Sequence, residues 1–240
     1  MNNFLPCSIA IISRIYFLKS RKFLILLCKN VSPCEIVSLG QNQNFYVLFV
    51  SPAATWEIKM NTDISKILID KDELEKITDH IAEKINRDYA DISKPLLLLI
   101  ILKGSVMFAA DLMKKITLPL EIEFMKVSSY GAGTKNSGEI KIHLDLTRDH
   151  LEMYNILIIE DIIDSGRTLS RLSQLLKNRN ANSVKTCILL DKPSRREVPF
   201  TPDYVGRVIP DEFVVGYGLD YNEKYRNLPY VGILKPEVYS

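Results

Sequence analysis

The sequence predicts an α/β fold with a mostly parallel central sheet. Unbroken apolar runs of strand length, at residues 96–102 and 156–159, are typical of strands that are covered on both faces. Segments of helical length separate the predicted strands, and this alternation indicates right-handed βαβ units. Ligands of such sheets bind at the carboxyl ends of the strands, so the residues after each strand are the first candidates for a functional site.

The composition is that of an ordinary globular protein. Of the 240 residues, 47% are hydrophobic and 25% are charged, which suits one domain or one domain with an extension. The net charge of +2 predicts no general attraction to nucleic acid or to a membrane. The four cysteines, at positions 7, 28, 34 and 187, lack the paired spacing of a zinc site and favour a reduced, cytoplasmic compartment without structural disulfides.

Residues 1–59 differ from the rest of the chain. They contain two apolar runs, at 4–12 and 23–28, and both are shorter than the roughly 18 residues that cross a bilayer. Their only acids are Glu35 and Glu57. We predict an N-terminal extension at 1–59 and a domain at 60–240, and we favour Met60 as the true start of the protein. A targeting segment and a structured extension are the alternatives.

From residue 60 onward, the local patterns predict the elements in order. Apolar residues at positions 74, 77, 81, 82, 85 and 89 have helical spacing, and Asp72 is positioned to cap this helix. After the strand at 96–102, Ser105 is positioned to cap a second helix that ends near residue 115. A third helix is predicted at 168–178. The other strands are predicted at 124–128, 139–144, 156–159, 186–190, 213–215 and 230–234.

Three polar segments each follow a predicted strand, at residues 103–104, 160–168 and 191–193. The carboxyl ends of parallel strands meet at one edge of a sheet, so we expect the three segments to form one site.

The segment 160–168 has the pattern of an anion-binding turn. A buried strand leads into Ser165 and Gly166 at the start of a helix, where unpaired backbone N–H groups and the positive end of the helix dipole meet. Gly166 permits a close backbone approach, and Thr168 adds a hydroxyl within the first helical turn. A plain helix cap at Asp164 or Ser165 is the alternative.

Three acids precede this helix: Glu160, Asp161 and Asp164. A buried acid cluster beside a phosphate is costly unless a cation or hydroxyl groups lie between them. A magnesium ion and the diol of a ribose both meet this need, so the segment predicts a ribose-phosphate substrate. A Walker A loop is excluded, because no Gly-Lys-Ser/Thr follows a glycine at the required spacing.

The segment 160–168 resembles the phosphoribosyl-diphosphate signature of the phosphoribosyltransferases, and the flanking motifs resemble the bacterial hypoxanthine-guanine branch of that family. The matching motifs are Leu-Lys-Gly-Ser at 102–105, Val-Ser-Ser-Tyr-Gly at 127–131, Leu-Asp-Lys-Pro at 190–193 and the segment 213–230. The similarity covers about residues 62–240, with the family motifs in order, and does not include residues 1–59. It implies the type I phosphoribosyltransferase fold, whose small hood is formed by the C-terminal strands and the segment after about residue 60.

The resemblance also implies a reaction of purine salvage. A purine base, hypoxanthine or guanine, displaces diphosphate from 5-phosphoribosyl 1-diphosphate and yields a nucleoside monophosphate. The implied metal is magnesium, and no organic cofactor beyond the substrates is implied. Positive charge develops on the ribose and negative charge on the diphosphate in a dissociative displacement, and carboxylates near the sugar and cations near the diphosphate would stabilise both.

Matching to the family assigns roles to the acids and the turn. Glu160 and Asp161 match residues near the ribose hydroxyls and their magnesium, and Asp164 matches the general base at N7 of the purine. The residues that match the phosphoribosyl site are Glu160, Asp161, Asp164, Ser165, Gly166, Arg167 and Thr168. Residues 165–168 among them match the 5′-phosphate loop, in which we assign Arg167 no individual role because the family varies there.

Lys103 and Gly104 match the diphosphate-binding loop, where the family has a cis peptide bond between residues 102 and 103. Arg226 matches the second cation at the diphosphate. An ordinary surface cation is the alternative interpretation of both Lys103 and Arg226.

Four residues match the purine site: Lys192, Phe213, Val214 and Asp220. The ammonium of Lys192 only donates, so it fits the 6-oxo group of hypoxanthine or guanine, whereas the 6-amino group of adenine would leave both groups unpaired. Phe213 matches the ring that stacks on the base, and Val214 meets the purine edge through its backbone. Asp220 also matches a residue near a second magnesium.

Ser129 and Tyr130 begin a loop rich in Gly, Ser and Thr that matches a mobile lid, and a flexible hairpin is the alternative.

The family implies small-molecule substrates and a homodimer or homotetramer. A xanthine-preferring transferase and a regulatory RNA-binding protein on the same fold are the alternative functions. The near balance of acids and bases disfavours the RNA-binding protein.

Overall fold

The computed structural model describes residues 62–129 and 140–240, together with the backbone of four strands earlier in the chain. The chain divides into two compact units, Met1–Ile64 and Ser65–Ser240. The predicted division into an extension at 1–59 and a domain at 60–240 stays a prediction.

The first unit contains a four-stranded sheet in the order β1-β2-β4-β3. Its strands are β1 (Ile12–Phe17), β2 (Phe23–Cys28), β3 (Glu35–Ser38) and β4 (Tyr46–Val50). The strands β2 and β4 pair in parallel, and the other two pairs are antiparallel. The strand β2 coincides with the second apolar run of the N-terminal sequence.

From residue 64 onward, strands and helices alternate as far as residue 129, and several later strands follow one another without an α-helix between them. The strands are β5 (Ile64–Ile69), β6 (Leu96–Ile101), β7 (Leu120–Ser129), β8 (Ile140–Leu144), β9 (Asn155–Ile163), β10 (Ser183–Asp191), β11 (Tyr204–Val208), β12 (Val214–Val215) and β13 (Val231–Leu234). The helices are α1 (Lys71–Asp88), α2 (Val106–Met113), α3 (Arg167–Asn178) and α4 (Pro236–Tyr239). Short 3-10 turns lie at Leu151–Met153 and Pro193–Arg195.

Six of these strands form the central sheet, in the order β11-β10-β9-β6-β7-β8. All neighbouring strands from β11 to β7 pair in parallel, and β8 pairs antiparallel with β7 at one edge. The predicted α/β fold with a mostly parallel sheet is confirmed.

The strand β6 is buried along its whole length because helices cover both faces of the sheet. Leu98 and Ile100 pack in a cluster that includes Leu74 of α1 and Phe108 of α2. Leu97 and Leu99 point to the opposite face, because side chains alternate along a strand, and they pack in a cluster that includes residues of α3. Burial of one such side chain contributes about 1.5–3 kcal/mol, which explains why the run 96–102 contains no polar residue.

The beginnings of two helices differ from the predictions. The cap of α1 is Asp70, not Asp72, because Asp70 Oδ1 accepts a hydrogen bond of 2.9 Å from the backbone N–H of Glu73. Ser105 precedes α2, but its backbone is already helical and its hydroxyl donates to the carbonyl of Ile101 at 2.5 Å instead of capping. The helix α2 ends at Met113, before the predicted residue 115.

Parallel pairing extends two central strands beyond their predicted ends. The strand β9 continues to Ile163, which pairs with Asp191 at the end of β10. Glu160 and Asp161 therefore lie within β9 and not after it. The strands β5 and β11 were not predicted from the sequence.

The strands β12, β13 and β5 form a separate sheet of three strands. Val214 pairs antiparallel with Ile233, whose carbonyl also accepts a hydrogen bond of 3.1 Å from Ser65 Oγ. The hood predicted from the C-terminal strands and the segment after about residue 60 is confirmed. In the described part of the chain, no helix has the length and apolar character needed to cross a membrane.

Candidate active site

The three predicted segments meet at the carboxyl edge of the central sheet, because β6, β9 and β10 are parallel neighbours. The backbone N–H of Lys192 donates to the carbonyl of Ile163 at 3.0 Å, which joins the segments after β9 and β10. Gly104, after β6, lies against Asp161: a Cβ atom built on this glycine would be 1.5 Å from Asp161 Oδ2. The peptide bond between Leu102 and Lys103 is cis, as the resemblance implied.

Glu160 and Asp161 form a partly buried acid pair within β9. The Oε2 atom of Glu160 is buried, and the structure contains no hydrogen-bond partner for it among the described residues. Burial, together with neighbouring Asp161, raises the pKa of Glu160 well above its usual range. Burial also raises the pKa of Asp161 to about 6, although its Oδ1 atom accepts a hydrogen bond of 2.8 Å from the backbone N–H of Ile162.

Asp220 and Arg226 belong to the same electrostatic cluster as Asp161. Asp220 adds to the rise in the pKa of Asp161, whereas Arg226 lowers it. One guanidinium nitrogen of Arg226 is 2.8 Å from Asp220 Oδ1, and the other donates to the carbonyl of Gly218 at 2.8 Å. An acid pair, a third carboxylate and a cation therefore surround one end of the site.

The turn before α3 leaves backbone donors available. Gly166 lies before the first residue of α3 with a φ of 78°, a left-handed conformation that glycine adopts without a steric penalty. Among the described residues, no side chain caps this helix, so neither Asp164 nor Ser165 acts as the helix cap that the alternative interpretation required. Ser165 Oγ instead accepts a long hydrogen bond of 3.3 Å from the backbone N–H of Arg167, whose side chain pairs with Glu197 at 2.5 Å.

A cavity of about 410 Å³ opens beside the acid cluster. It is lined by Asp161, Ile162, Asp164, Lys192, Arg195, Asp211, Glu212, Phe213, Val214, Leu219, Asp220 and Tyr239. The side chain of Lys192 is 8% exposed, and its Nζ atom is 3.8 Å from Oδ1 of Asp164, whose side chain is 47% exposed. The cavity therefore presents a buried cation and an accessible carboxylate side by side.

The aromatic wall of the cavity includes a residue that sequence reasoning missed. The ring of Phe213 stacks on Tyr239 with 4.7 Å between ring centroids, and it contacts Tyr221 edge to face at 5.6 Å. Tyr239 lies in α4, next to the C-terminal residue. No local pattern marked it, because only the folding of the hood brings α4 against Phe213.

Arg196 is a second residue that was missed as part of the site. One guanidinium nitrogen donates to the backbone carbonyl of Asp164 at 2.7 Å, and the other donates to Asp191 Oδ1 at 2.5 Å. The sequence showed only a short basic pair at 195–196. In the structure, Arg196 connects the segments after β9 and β10 and fixes the backbone that carries Asp164.

Lys103 extends from the loop after β6 and is half exposed. Its Nζ atom is 2.8 Å from Oε2 of Glu223, and the same oxygen is 3.4 Å from a guanidinium nitrogen of Arg226. Lys103 and Arg226, which sequence reasoning matched to one anion site, thus lie on either side of a single carboxylate. Glu223 was not singled out from the sequence.

The structure brings most of the predicted site residues together. The acids of β9, the turn at 165–168, Lys103 with Gly104, Lys192, Phe213, Val214, Asp220 and Arg226 all lie around the carboxyl edge of the sheet and the adjoining hood. Ser129 is the last residue of β7, and Tyr130 lies outside the described residues, so the lid stays a prediction.

Comparisons with known proteins identify the family of this chain. The chain matches the family model for the phosphoribosyl transferase domain over residues 66–222. It is 49% identical to the hypoxanthine-guanine phosphoribosyltransferase of Staphylococcus aureus over 181 residues, which are 75% of this chain and 99% of that protein. A crystal structure of a hypoxanthine phosphoribosyltransferase from the same organism has a TM-score of 0.71 and 48% identity, and covers 76% of this chain and 97% of that one.

A second group of relatives is longer than this chain. The bifunctional protein TilS/HprT of Listeria innocua is 54% identical over 181 residues, which are 75% of this chain. The chain spans 28% of the length of that protein.

Proposed function

The chain belongs to the phosphoribosyltransferase family, and we propose that it catalyses purine salvage by transferring the 5-phosphoribosyl group from 5-phosphoribosyl 1-diphosphate to hypoxanthine or guanine. The observation that carries this proposal is the pairing of Asp164 with the buried Lys192 in a cavity walled by Phe213. This cavity adjoins the acid pair of β9 and the turn before α3. The cavity residues can thus bind a purine, while the acid pair and the turn bind a ribose phosphate.

The positions of Asp164 and Lys192 fit two adjacent atoms on one edge of a 6-oxopurine. The ammonium of Lys192 donates to the 6-oxo group, and the carboxylate of Asp164 accepts a proton from the neighbouring N7. The distance of 3.8 Å between the two side chains allows both contacts with a single ring. Adenine offers a 6-amino group to Lys192, so donor would face donor.

General base catalysis follows from this placement. The lone pair of N9 forms the new bond to the anomeric carbon as the bond from that carbon to the diphosphate oxygen breaks. Asp164 accepts the N7 proton, which keeps the purine from accumulating positive charge. The hydrogen bond from Arg196 to the backbone of Asp164 holds the base in position during this transfer.

The acid pair of β9 is suited to the ribose. Carboxylates near the sugar stabilise the positive charge that develops at the anomeric carbon, and Lys103 with Arg226 stabilises the negative charge on the leaving diphosphate. The backbone N–H groups at the start of α3, with Ser165 and Thr168, bind the 5′-phosphate at the positive end of the helix dipole.

The donor set around Asp161 fits magnesium. Glu160 has a buried oxygen without a hydrogen-bond partner among the described residues, and burial raises the pKa of Asp161, with Asp220 adding to the rise. A bound divalent cation would give the buried oxygen of Glu160 a partner and would offset the negative charge of Asp161 and Asp220. The described residues contain no group of three acids, cysteines or histidines that would form a complete metal cage. Magnesium is commonly held by one or two carboxylates together with substrate oxygens, and it would offset charge on the diphosphate.

The direct test of this function is nucleotide formation from 5-phosphoribosyl 1-diphosphate with hypoxanthine, guanine, xanthine and adenine, measured in parallel with and without magnesium. We expect turnover of hypoxanthine or guanine that requires magnesium, and none of adenine. Absence of turnover with every purine would contradict the proposal, and a preference for xanthine would redirect it. Light scattering of the same preparation tests the predicted homodimer or homotetramer.

Lys192→Met is expected to raise the KM for hypoxanthine about ten- to a hundredfold, because a hydrogen bond from a charged donor contributes about 1.5–3 kcal/mol. The KM for 5-phosphoribosyl 1-diphosphate should stay within about twofold, because Lys192 lies on the purine side of the cavity. Steady-state kinetics with each substrate varied separately measures both values.

Lys177→Met is the matched control, since Lys177 is exposed in the last turn of α3, at the opposite end from Gly166. An unchanged KM for hypoxanthine in the Lys192 variant would refute the proposed contact with the 6-oxo group.

A further inference from the structure

Glu223 lies in the position of an anion between the two cations assigned to the diphosphate. Its Oε2 atom is 2.8 Å from Lys103 Nζ and 3.4 Å from a guanidinium nitrogen of Arg226. A single carboxylate oxygen therefore contacts two cations that belong to different elements, the loop after β6 and the loop before β13. Two cations around one oxygen form the arrangement that also binds a phosphate oxygen.

The backbone holds Glu223 in this position. Asn222 and Glu223 have φ values of 50° and 61°, in the left-handed region that asparagine tolerates and glutamate rarely adopts. The N–H of Glu223 donates to Asp220 Oδ2 at 2.8 Å, and the backbones of Tyr221 and Lys224 are hydrogen-bonded to each other across the turn. The turn thus holds Glu223 in a backbone conformation that glutamate rarely adopts, with its carboxylate beside Lys103.

The carboxylate of Glu223 is charged and easily displaced. The hydrogen bond from Lys103 lowers the pKa of Glu223, and nearby Arg226 lowers it further. The side chains of Glu223 and Lys103 are 66% and 50% exposed, so water competes with their ion pair and the pair is weak. A diphosphate group, which carries more negative charge, can replace the carboxylate.

We propose that Glu223 is an internal stand-in for the diphosphate, which pairs with Lys103 and shares Arg226 with Asp220 in the free enzyme, and which competes with the substrate and product that carry this group. The proposal rests on the proposed function, because it takes Lys103 and Arg226 as the diphosphate cations. It makes Glu223 a determinant of affinity for 5-phosphoribosyl 1-diphosphate and of release of diphosphate. If Glu223 instead aligned Lys103 for the substrate, removal of its charge would weaken the binding of 5-phosphoribosyl 1-diphosphate.

The test compares Glu223→Gln with Glu83→Gln, which removes the same charge from an exposed position of α1. The KM for 5-phosphoribosyl 1-diphosphate and the inhibition constant of inorganic diphosphate are measured at low and high salt. We expect both constants to fall about two- to fivefold in Glu223→Gln at low salt, and the difference to shrink at high salt. The KM for hypoxanthine should not change, and Glu83→Gln should behave like the unmodified protein.

Lys103→Met separates a failure of this inference from a failure of the proposed function. A raised KM for 5-phosphoribosyl 1-diphosphate in Lys103→Met, with an unchanged or raised KM in Glu223→Gln, overturns the role of Glu223 and leaves the diphosphate site standing. An unchanged KM in Lys103→Met overturns the diphosphate site itself, and with it the role of Glu223. In the double variant, loss of most of the effect of Glu223→Gln supports competition at Lys103, and an undiminished effect overturns it.

Discussion

Asp164→Asn is expected to lower turnover about 10²- to 10⁴-fold, the usual contribution of a general base. The amide has the same shape as the carboxylate but does not accept a proton from N7 of the purine. The backbone of residue 164 should keep its position, because the hydrogen bond from Arg196 is made to the main-chain carbonyl. Single-turnover and steady-state kinetics would measure the loss, and the KM for 5-phosphoribosyl 1-diphosphate should change little.

A second carboxylate of the same cavity provides the matched control for Asp164. Asp211 also lines the cavity, but its Oδ1 atom pairs with Arg195 Nε at 2.6 Å, whereas Asp164 is the carboxylate that pairs with Lys192. Asp211→Asn removes one negative charge from the cavity without removing the proposed base, so we expect a much smaller decrease. Equal losses in the two variants would mean that the charge of the cavity matters and that Asp164 has no special role in proton transfer.

Gly104→Ala is expected to lower kcat/KM for 5-phosphoribosyl 1-diphosphate about a hundredfold or more. The new Cβ would lie 1.5 Å from Asp161 Oδ2 and 2.7 Å from Asp161 Cγ, so the acid or the loop must move. The loop has little room on its other side, because a Cβ on Gly218 would lie 1.9 Å from the carbonyl oxygen of Gly104. A displacement of about 1 Å at a catalytic centre can cost about a hundredfold in rate.

Gly206→Ala separates this local effect from a general effect of crowding. A Cβ at Gly206 would approach the carbonyl of Leu189 to 2.6 Å and Ile77 Cγ2 to 2.8 Å, inside the core and away from the acid pair. We expect this variant to lose about 1–3 kcal/mol of the free energy of unfolding while the folded fraction stays active. Urea unfolding and kinetics of both variants measure the contrast. Activity of Gly104→Ala within tenfold of the unmodified protein would refute the close approach of Gly104 and Asp161.

The central sheet could be predicted from the sequence because its signals are local. An unbroken apolar run such as 96–102 needs cover on both faces, and helix-length segments between such runs supply that cover. The ends of elements were less predictable. Asp70 and Asp72 are equally suitable as caps in the sequence, and only the backbone direction at the end of β5 makes Asp70 the acceptor for Glu73.

The candidate site was predictable where polar residues stand at or directly after the end of an apolar strand in the sequence. The acids of β9, the small residues of the turn and Lys192 each follow or end an apolar run, so their meeting at one edge follows from parallel strands. Arg196, Glu223 and Tyr239 had no comparable signal. Each reaches the site through contacts between segments distant in the chain, and a lone arginine, glutamate or tyrosine has no pattern that distinguishes it from a surface residue.

The sequence alone therefore determined the fold class, the edge of the sheet that carries the candidate site and the residue types proposed to bind there, because hydrophobic periodicity and motif spacing are properties of neighbouring residues. Tertiary structure alone decided which charges face one another. It placed Lys192 3.8 Å from Asp164, the carboxylate of Glu223 between Lys103 and Arg226, and Tyr239 on Phe213. The first distance depends on the pairing of β9 with β10, and the other two depend on how the hood folds over the sheet edge. Electrostatic interactions change steeply with distance and burial.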